Sequence, residues 1–280
     1  MIPKTIHYCW FSERQNDPVP EKYQHCMETW RRNLPDYELV LWDFDRFDIN
    51  SSIWVKQAFE AKKYAFVADY IRFFALYNNG GVYLDMDIEA VKPFGALLNR
   101  SIMLGYEDNE QRIESGCFGA EKGHPFIKKC LDYYNDREFN EPVILPIIMQ
   151  NVLNDSFSGE NYDILPSEYF SAKSYVTGAI KKTKNTCTIH HYTGSWFSEE
   201  GRKDMAKRWK YFSTFGDNAF SRILFIFINF PNVFGIWINR IKQDGFLPAL
   251  KYYWNTYIIG KKKQEKSTQC PPPPPTQLFN

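Results

Sequence analysis

Short apolar runs closed by polar residues recur along the chain between stretches whose apolar residues return every three or four positions. This alternation predicts strands interleaved with helices. The opening run IPKTIHYCWF predicts a first buried strand ending in a loop at Ser12, and YELVLWDFD predicts a second. Between them, PEKYQHCMETWRRNLP has helical spacing and a proline stop. From Val55 to Tyr77 apolar residues cover much of a helix's circumference and run into NNGG, which predicts a single, largely buried helix with a glycine-rich exit. VYLDMDIEAV follows at once as a strand, SIMLGYE and CTIHHYTG predict two more, and HPFIKKCLDYYND predicts a helix. Such an order predicts an α/β sandwich with a mostly parallel sheet.

The pattern changes after Gly216. AFSRILFIFINFPNVFGIWINRIKQDGFLPALKYYWNTYIIGKKK is rich in Phe, Ile and Trp, and its longest apolar stretch is interrupted by Asn229, Pro231 and Asn232. That falls short of the roughly 20 predominantly apolar residues of a spanning helix. Mixed with Lys and Arg, it reads as an interfacial helix pair or as helices that cap the domain or pair with a second copy. STQCPPPPPTQLFN is too rich in proline to pack. The expected organisation is a domain over residues 1–215, a helical, membrane-associating segment over 216–263 and a disordered tail over 264–280.

Composition narrows the picture. The chain's 280 residues, 44% apolar and 18% aromatic, suffice for a real core, and a net charge of +1 argues against a general nucleic-acid binder. Six scattered cysteines without a CxxC pair suit free thiols in a reducing compartment, and no secretory signal is visible. The expected location is cytoplasmic, with peripheral contact to the inner face of the membrane.

Candidate chemistry centres on GGVYLDMDIEAVKPF, residues 80–94. In an extended strand Asp85 and Asp87 share one face, at the sheet edge where open α/β folds place ligands. Two carboxylates this close repel unless a cation lies between them; otherwise they are solvated residues. The spacing alone does not choose, because Asp43 and Asp45 in LWDFD share it. On the preceding helix Asp69 and Arg72 stand three residues apart on one face, a pair that charge in so apolar a setting requires.

Together, IPKTIHYCWF, ADYIRFFALYNNGGVYLDMDIEAVKPF and HHYTGSWF resemble the DXD-containing sugar transferases of glycosyltransferase family 32 and, more distantly, the glucosyltransferase domains of the large clostridial toxins. The likeness runs from Ile2 to about Phe197. It implies the GT-A fold, a Rossmann-like α/β sandwich that binds a nucleotide-sugar. By this likeness Trp10 stacks on the base, Asp69 and Arg72 contact the donor sugar and diphosphate, Asp85 touches the ribose and reaches the ion through water, and Asp87 binds Mn2+ or Mg2+ directly. His191 would be a further ligand, with His190 facing the other way, in the core or behind the ligands. Gly194, Ser195 and Trp196 would close on the diphosphate. RIESGCFGAEKGHPF departs from the Asn-rich stretch of relatives; Glu114, Ser115 and Gly116 could lie beside the acceptor, and no acceptor-side base is identified.

The resemblance implies a retaining transfer, with a UDP-sugar donor favoured, UDP-galactose or UDP-glucose first. The expected acceptor is a glycan or lipid-linked oligosaccharide of capsule or O-antigen type synthesis. Two other readings stand beside it: a non-catalytic nucleotide-sugar or glycan binder, and a toxin-like protein glycosyltransferase.

Overall fold

The apolar opening run forms strand β1 (Thr5–Cys9), and helix α1 (Glu21–Asn33) leads to strand β2 (Glu38–Trp42). These elements belong to a computed structural model that describes residues 1–15, 17–108, 112–140, 142–157, 162–194 and 197–228. The predicted Val55–Tyr77 helix is two helices, α2 (Ile53–Glu60) and α3 (Tyr64–Asn79). The break falls at Lys62, whose φ of 56° is left-handed and whose amide closes onto the Phe59 carbonyl at 2.9 Å. Trp54 ties the halves together by donating its indole N–H to the Phe66 carbonyl at 3.0 Å.

VYLDMDIEAV likewise divides, into β3 (Gly81–Leu84) and β4 (Ile88–Ala90). Between them a turn is closed by the Ile88 amide on the Asp85 carbonyl at 2.9 Å. There follow β5 (Ile102–Met103), β6 (Cys117–Ala120), α4 (Pro125–Asp132), α5 (Leu145–Phe157), β7 (Thr188–His190), α6 (Glu199–Phe215) and α7 (Ala219–Ile228). The main sheet runs β2-β1-β3-β6-β5, and β4 pairs with β7 in a small second sheet. β1 is parallel to β2 and β3, whereas β6 is antiparallel to β3 and β5. The fold is therefore α/β as expected, but its sheet is parallel over one half only. β6 and α5 were not among the predicted elements.

Within the described residues two compact units form, one from Met1–Ala172 and Lys182–Trp196, the other from Lys173–Lys181 and the chain from Phe197 onward. The core of the first gathers Ile6, Trp30, Leu34, Val82, Leu84 and Phe94, all nearly inaccessible. α1 also grips β4 through polar groups. Trp30 donates to the Ile88 carbonyl and Asn33 to that of Ala90, each at 2.7 Å, while the Thr29 hydroxyl accepts from the Ala90 amide at 2.8 Å. These bonds fix the strand that leaves the Asp85–Asp87 turn. His7 joins the strand layer to the α3 exit: its Nδ1 accepts from the Trp42 indole at 3.0 Å, so Nε2 donates to the Gly80 carbonyl at 2.8 Å. Cys9, Cys26, Cys117, Cys130 and Cys187 are free thiols, all buried.

In the second unit Ser198 caps α6, Met205 and Phe212 are its buried positions, and Phe225 of α7 packs on Tyr211 at 5.1 Å and on Phe212 at 5.3 Å. Arg222 Nε pairs with Asp217 at 2.5 Å. Phe215, Phe220, Ile223 and Ile228 remain exposed. No helix among the described residues is long and apolar enough to cross a membrane. Most of the anticipated 216–263 segment, and all of the 264–280 tail, lie outside the described residues.

Gly81 carries the tightest backbone approach at the start of β3. Its φ is 112°, and a Cβ there would stand 2.7 Å from the Thr5 carbonyl. Gly81→Ala should combine a forced left-handed backbone with a clash, lowering unfolding stability by about 2–4 kcal/mol. Urea unfolding monitored by tryptophan fluorescence measures this, and a loss below about 0.5 kcal/mol would contradict the geometry.

Candidate active site

Because β1, β2 and β3 run parallel, the residues that follow each of them emerge at one edge of the sheet. Trp10 follows β1, Asp43 follows β2 and Asp85 follows β3. Ligands of open α/β sheets sit at this edge.

Trp10 is half-buried, donates its indole N–H to the Asp17 carbonyl at 2.9 Å and meets Tyr23 edge-on at 6.2 Å. It lines a cavity of about 220 Å³ with Ser12, Pro18, Leu41, Asp43 and Phe44. Asp43, whose DFD motif resembles a second copy of the DMD motif, thus belongs to the wall beside Trp10.

The two aspartates of DMD sit in the turn between β3 and β4 rather than on one continuous strand face. They converge because the chain reverses there, and each meets a different environment. Asp85 takes the Tyr83 hydroxyl at 3.0 Å and the Arg72 guanidinium at 3.3 Å, and its amide donates to the Gly116 carbonyl at 2.8 Å. Burial pushes its carboxyl up, against the opposing pull of Arg72. Asp87 accepts both the amide and the hydroxyl of Thr193 on Oδ2, at 2.8 and 2.9 Å, leaving Oδ1 3.5 Å from His190 Nε2. Burial alone would raise its carboxyl too, but His190 and Thr193 outweigh it and hold the group well below the usual carboxylate range.

Arg72 and Asp69 meet at 3.0 Å on α3, as their spacing predicts. Both are buried. The guanidinium also donates to the Ser115 carbonyl at 2.6 Å and lies over the Tyr83 ring at 4.6 Å. Burial pushes the Asp69 carboxyl up to about 7 even with Arg72 beside it. In this structure the guanidinium therefore faces protein partners that hold Asp85 in place.

The histidines stand opposite to expectation. His190, not His191, joins the aspartates: one ligand atom from each of Asp85, Asp87 and His190 lies within 4.8 Å of the others. The antiparallel register sets His190 across from Ile88, next to the DMD turn. His191 turns away and bonds Glu89 through Nε2 at 2.9 Å, while its amide donates to the Asp87 carbonyl at 3.0 Å. His190 Nδ1 meets Glu114 at 3.0 Å, and its ring stacks on Tyr192 at 4.1 Å. Glu114 and Asp87 together raise its pKa well above the ordinary value, although burial works the other way. Gly194 is buried with a left-handed φ of 65°, and Ser195 and Trp196 lie outside the described residues.

Hard carboxylate oxygens and one imidazole nitrogen form a donor set suited to manganese or magnesium. Asp69, Asp85, Asp87 and Glu114 are gathered against one guanidinium and one imidazole, an excess of acid that a divalent ion would offset. Thr193, which holds Asp87, was not singled out from sequence. The signal was a hydroxyl two residues beyond the histidine pair, meaningful only once the chain is known to turn back on the DMD segment.

Residues 20–105 match the family described as the glycosyltransferase sugar-binding region containing DXD motif. The chain is 29% identical over 150 residues to inositol phosphoceramide mannosyltransferase 1 of Schizosaccharomyces pombe, covering 50% of this chain and 46% of that protein. It is 31% identical over 130 residues to inositol phosphoceramide mannosyltransferase 3 of the same organism, covering 45% and 35%. It thus spans less than half the length of these curated relatives. A solved structure described as PaToxG glycosyltransferase aligns with a TM-score of 0.45 and 22% identity, over 56% of this chain and 71% of that one.

The raised pKa of His190 has a thermodynamic consequence. A proton bound more tightly in the folded state stabilises it fully below the unfolded value of about 6.5, less as pH rises, and not at all once the folded value is passed. With divalent ions chelated, the stability advantage of the parent chain over His190→Gln should shrink as pH rises above about 6.5. Denaturant unfolding of both proteins across pH 6 to 9 tests this, and a constant difference would contradict the His190 network.

Proposed function

We propose that the chain is a metal-dependent glycosyltransferase of GT-A type. In this reading it moves a hexose from a nucleotide-sugar to a glycan or glycolipid acceptor with retention of anomeric configuration. The observation that carries the proposal is the convergence of Asp85, Asp87 and His190 at the sheet edge that also bears Trp10 and its cavity. The match of residues 20–105 to a DXD sugar-binding region supports it.

Breaking the anomeric C–O bond leaves charge on the departing diphosphate. A Mn2+ or Mg2+ ion held by Asp85, Asp87 and His190 would supply positive charge for that leaving group. The protein's part is to keep those groups in place beforehand. Thr193 clamps one oxygen of Asp87 and leaves the other toward His190. Tyr83 and Arg72 hold Asp85. Asp69, whose carboxyl is raised by burial, is suited to bond a donor-sugar hydroxyl, and Trp10 to lie against the base. Gly194, buried with a left-handed backbone, would let the chain approach the diphosphate.

The resemblance favours UDP-galactose or UDP-glucose, whereas the named relatives transfer mannose to inositol phosphoceramide. Both support a hexosyl donor, and the relatives' names add an inositol-bearing phosphoceramide to the lipid-linked oligosaccharide as an acceptor. The exposed Phe215, Phe220, Ile223 and Ile228 support peripheral contact with a membrane, which we assign to its cytoplasmic face.

Donor hydrolysis should be measured across UDP- and GDP-sugars with Mn2+, Mg2+ and chelator. One donor should turn over only with metal, and Asp87→Asn should lower that rate at least about a hundredfold while leaving the fold intact. Metal-independent turnover, or an unimpaired variant, would defeat the proposal. A second measurement concerns the membrane. Co-sedimentation with anionic vesicles should fall several-fold in the Phe220→Asp, Ile223→Asp double variant, and unchanged partitioning would remove the membrane contact from the reading.

A further inference from the structure

Residues Glu114, Ser115 and Gly116 each hold a different group of the site. The Ser115 carbonyl accepts from Arg72 at 2.6 Å, the Gly116 carbonyl accepts from the Asp85 amide at 2.8 Å, and the Glu114 carboxylate meets His190 Nδ1 at 3.0 Å. Glu114 is 1% exposed, too buried for an acceptor-contacting acid, and its carboxylate is itself clamped. Oε1 also takes the Gly116 amide at 2.7 Å, and Oε2 takes the Ser171 hydroxyl. The spot is closed as well as bonded. A Cβ on Gly116 would lie 3.1 Å from Asp85 Oδ2, Glu114 Oε1 and His190 Cε1 alike.

We propose that Glu114 is a positioning residue for metal binding, acting through His190. With Nδ1–H committed to a fixed carboxylate and the ring face stacked on Tyr192, a neutral His190 has its Nε2 lone pair aimed to the side of Asp85 and Asp87. A carboxylate behind a ligating imidazole selects the tautomer, fixes the ring and raises its basicity. The inference rests on the metal reading above and assigns this segment to the ion rather than to the acceptor.

The test is Mn2+ affinity without donor, read from free Mn2+ by electron paramagnetic resonance. Glu114→Ala should bind about 10- to 100-fold more weakly than the parent chain. Glu114→Gln, which keeps an oxygen for Nδ1–H, should recover most of that loss. In a His190→Ala background, Glu114→Ala should cost nothing further, because a residue acting through another shows complete non-additivity. If Glu114→Ala fails to fold, Glu114→Met replaces it, keeping the bulk and removing the acceptor. Parent-like affinity in the folded variant, or losses at Glu114 and His190 that add, would overturn the inference while leaving the metal site standing. A parent chain that binds no Mn2+ would overturn the metal reading itself, and this inference with it.

Discussion

A guanidinium buried in an apolar helix is the constraint from which the rest of the site follows. Removing Arg72 from water costs several kcal/mol unless its donors are met, and α3 alone offers it only Asp69 and the Ala68 carbonyl. The remaining partners come from elsewhere in the chain: Asp85 after β3, and the Ser115 carbonyl before β6. Satisfying one cation therefore brings the helix, the DMD turn and the 114–116 segment to a common point. Burial outweighs the pull of that cation on Asp69, whose carboxyl rises to about 7. Substituting Arg72 would leave two buried acids without their cation, so stability and site geometry cannot be separated at this residue.

That arrangement also makes the two aspartates unequal. Asp85 spends its oxygens on Tyr83 and Arg72, and burial still raises its carboxyl. Asp87 spends one oxygen on two donors from Thr193 and keeps the other toward His190, and its carboxyl is held low. A carboxylate that stays ionised is the better direct ligand for a hard cation. Of the two, Asp87 is thus the better suited to bind an ion directly.

Much of this was legible in the sequence, for identifiable reasons. The alternation of apolar runs and helical stretches identified the α/β class, and the i, i+3 spacing of Asp69 and Arg72 forecast their pairing, because both depend on local periodicity. The DMD aspartates do converge, but through a turn rather than through the strand alternation expected of them. The structure places His190, the last residue of β7, beside the aspartates and turns His191, just beyond it, toward Glu89, a difference of face that spacing alone does not decide. That face is set by pairing with β4, a contact 102 residues away for His191 and Glu89. Glu114 was noticed as a departure from the family's pattern, yet its burial and its bond to His190 depend on tertiary packing that no spacing reveals. The continuous Val55–Tyr77 helix failed at Lys62, where two polar residues interrupt the apolar pattern and the backbone turns left-handed.

The same contacts bear on how a site of this kind works. Its chemistry-bearing groups stand on α3, at strand ends and in one short turn, and three of them are bonded to partners from other elements. Arg72 is fixed by Asp85, His190 by Glu114, and Asp87 by Thr193. Groups held this way need little reorganisation when charge develops on a leaving group, which is the condition under which fixed dipoles and charges assist a reaction most. Such order has a cost, since like-charged carboxylates are concentrated where water is scarce. Four acids around Arg72 and His190 leave an excess that protons on Asp69 and His190 relieve only in part. A divalent cation held there would relieve it further, so the strain of assembling the site and the affinity proposed for the ion would have a common origin.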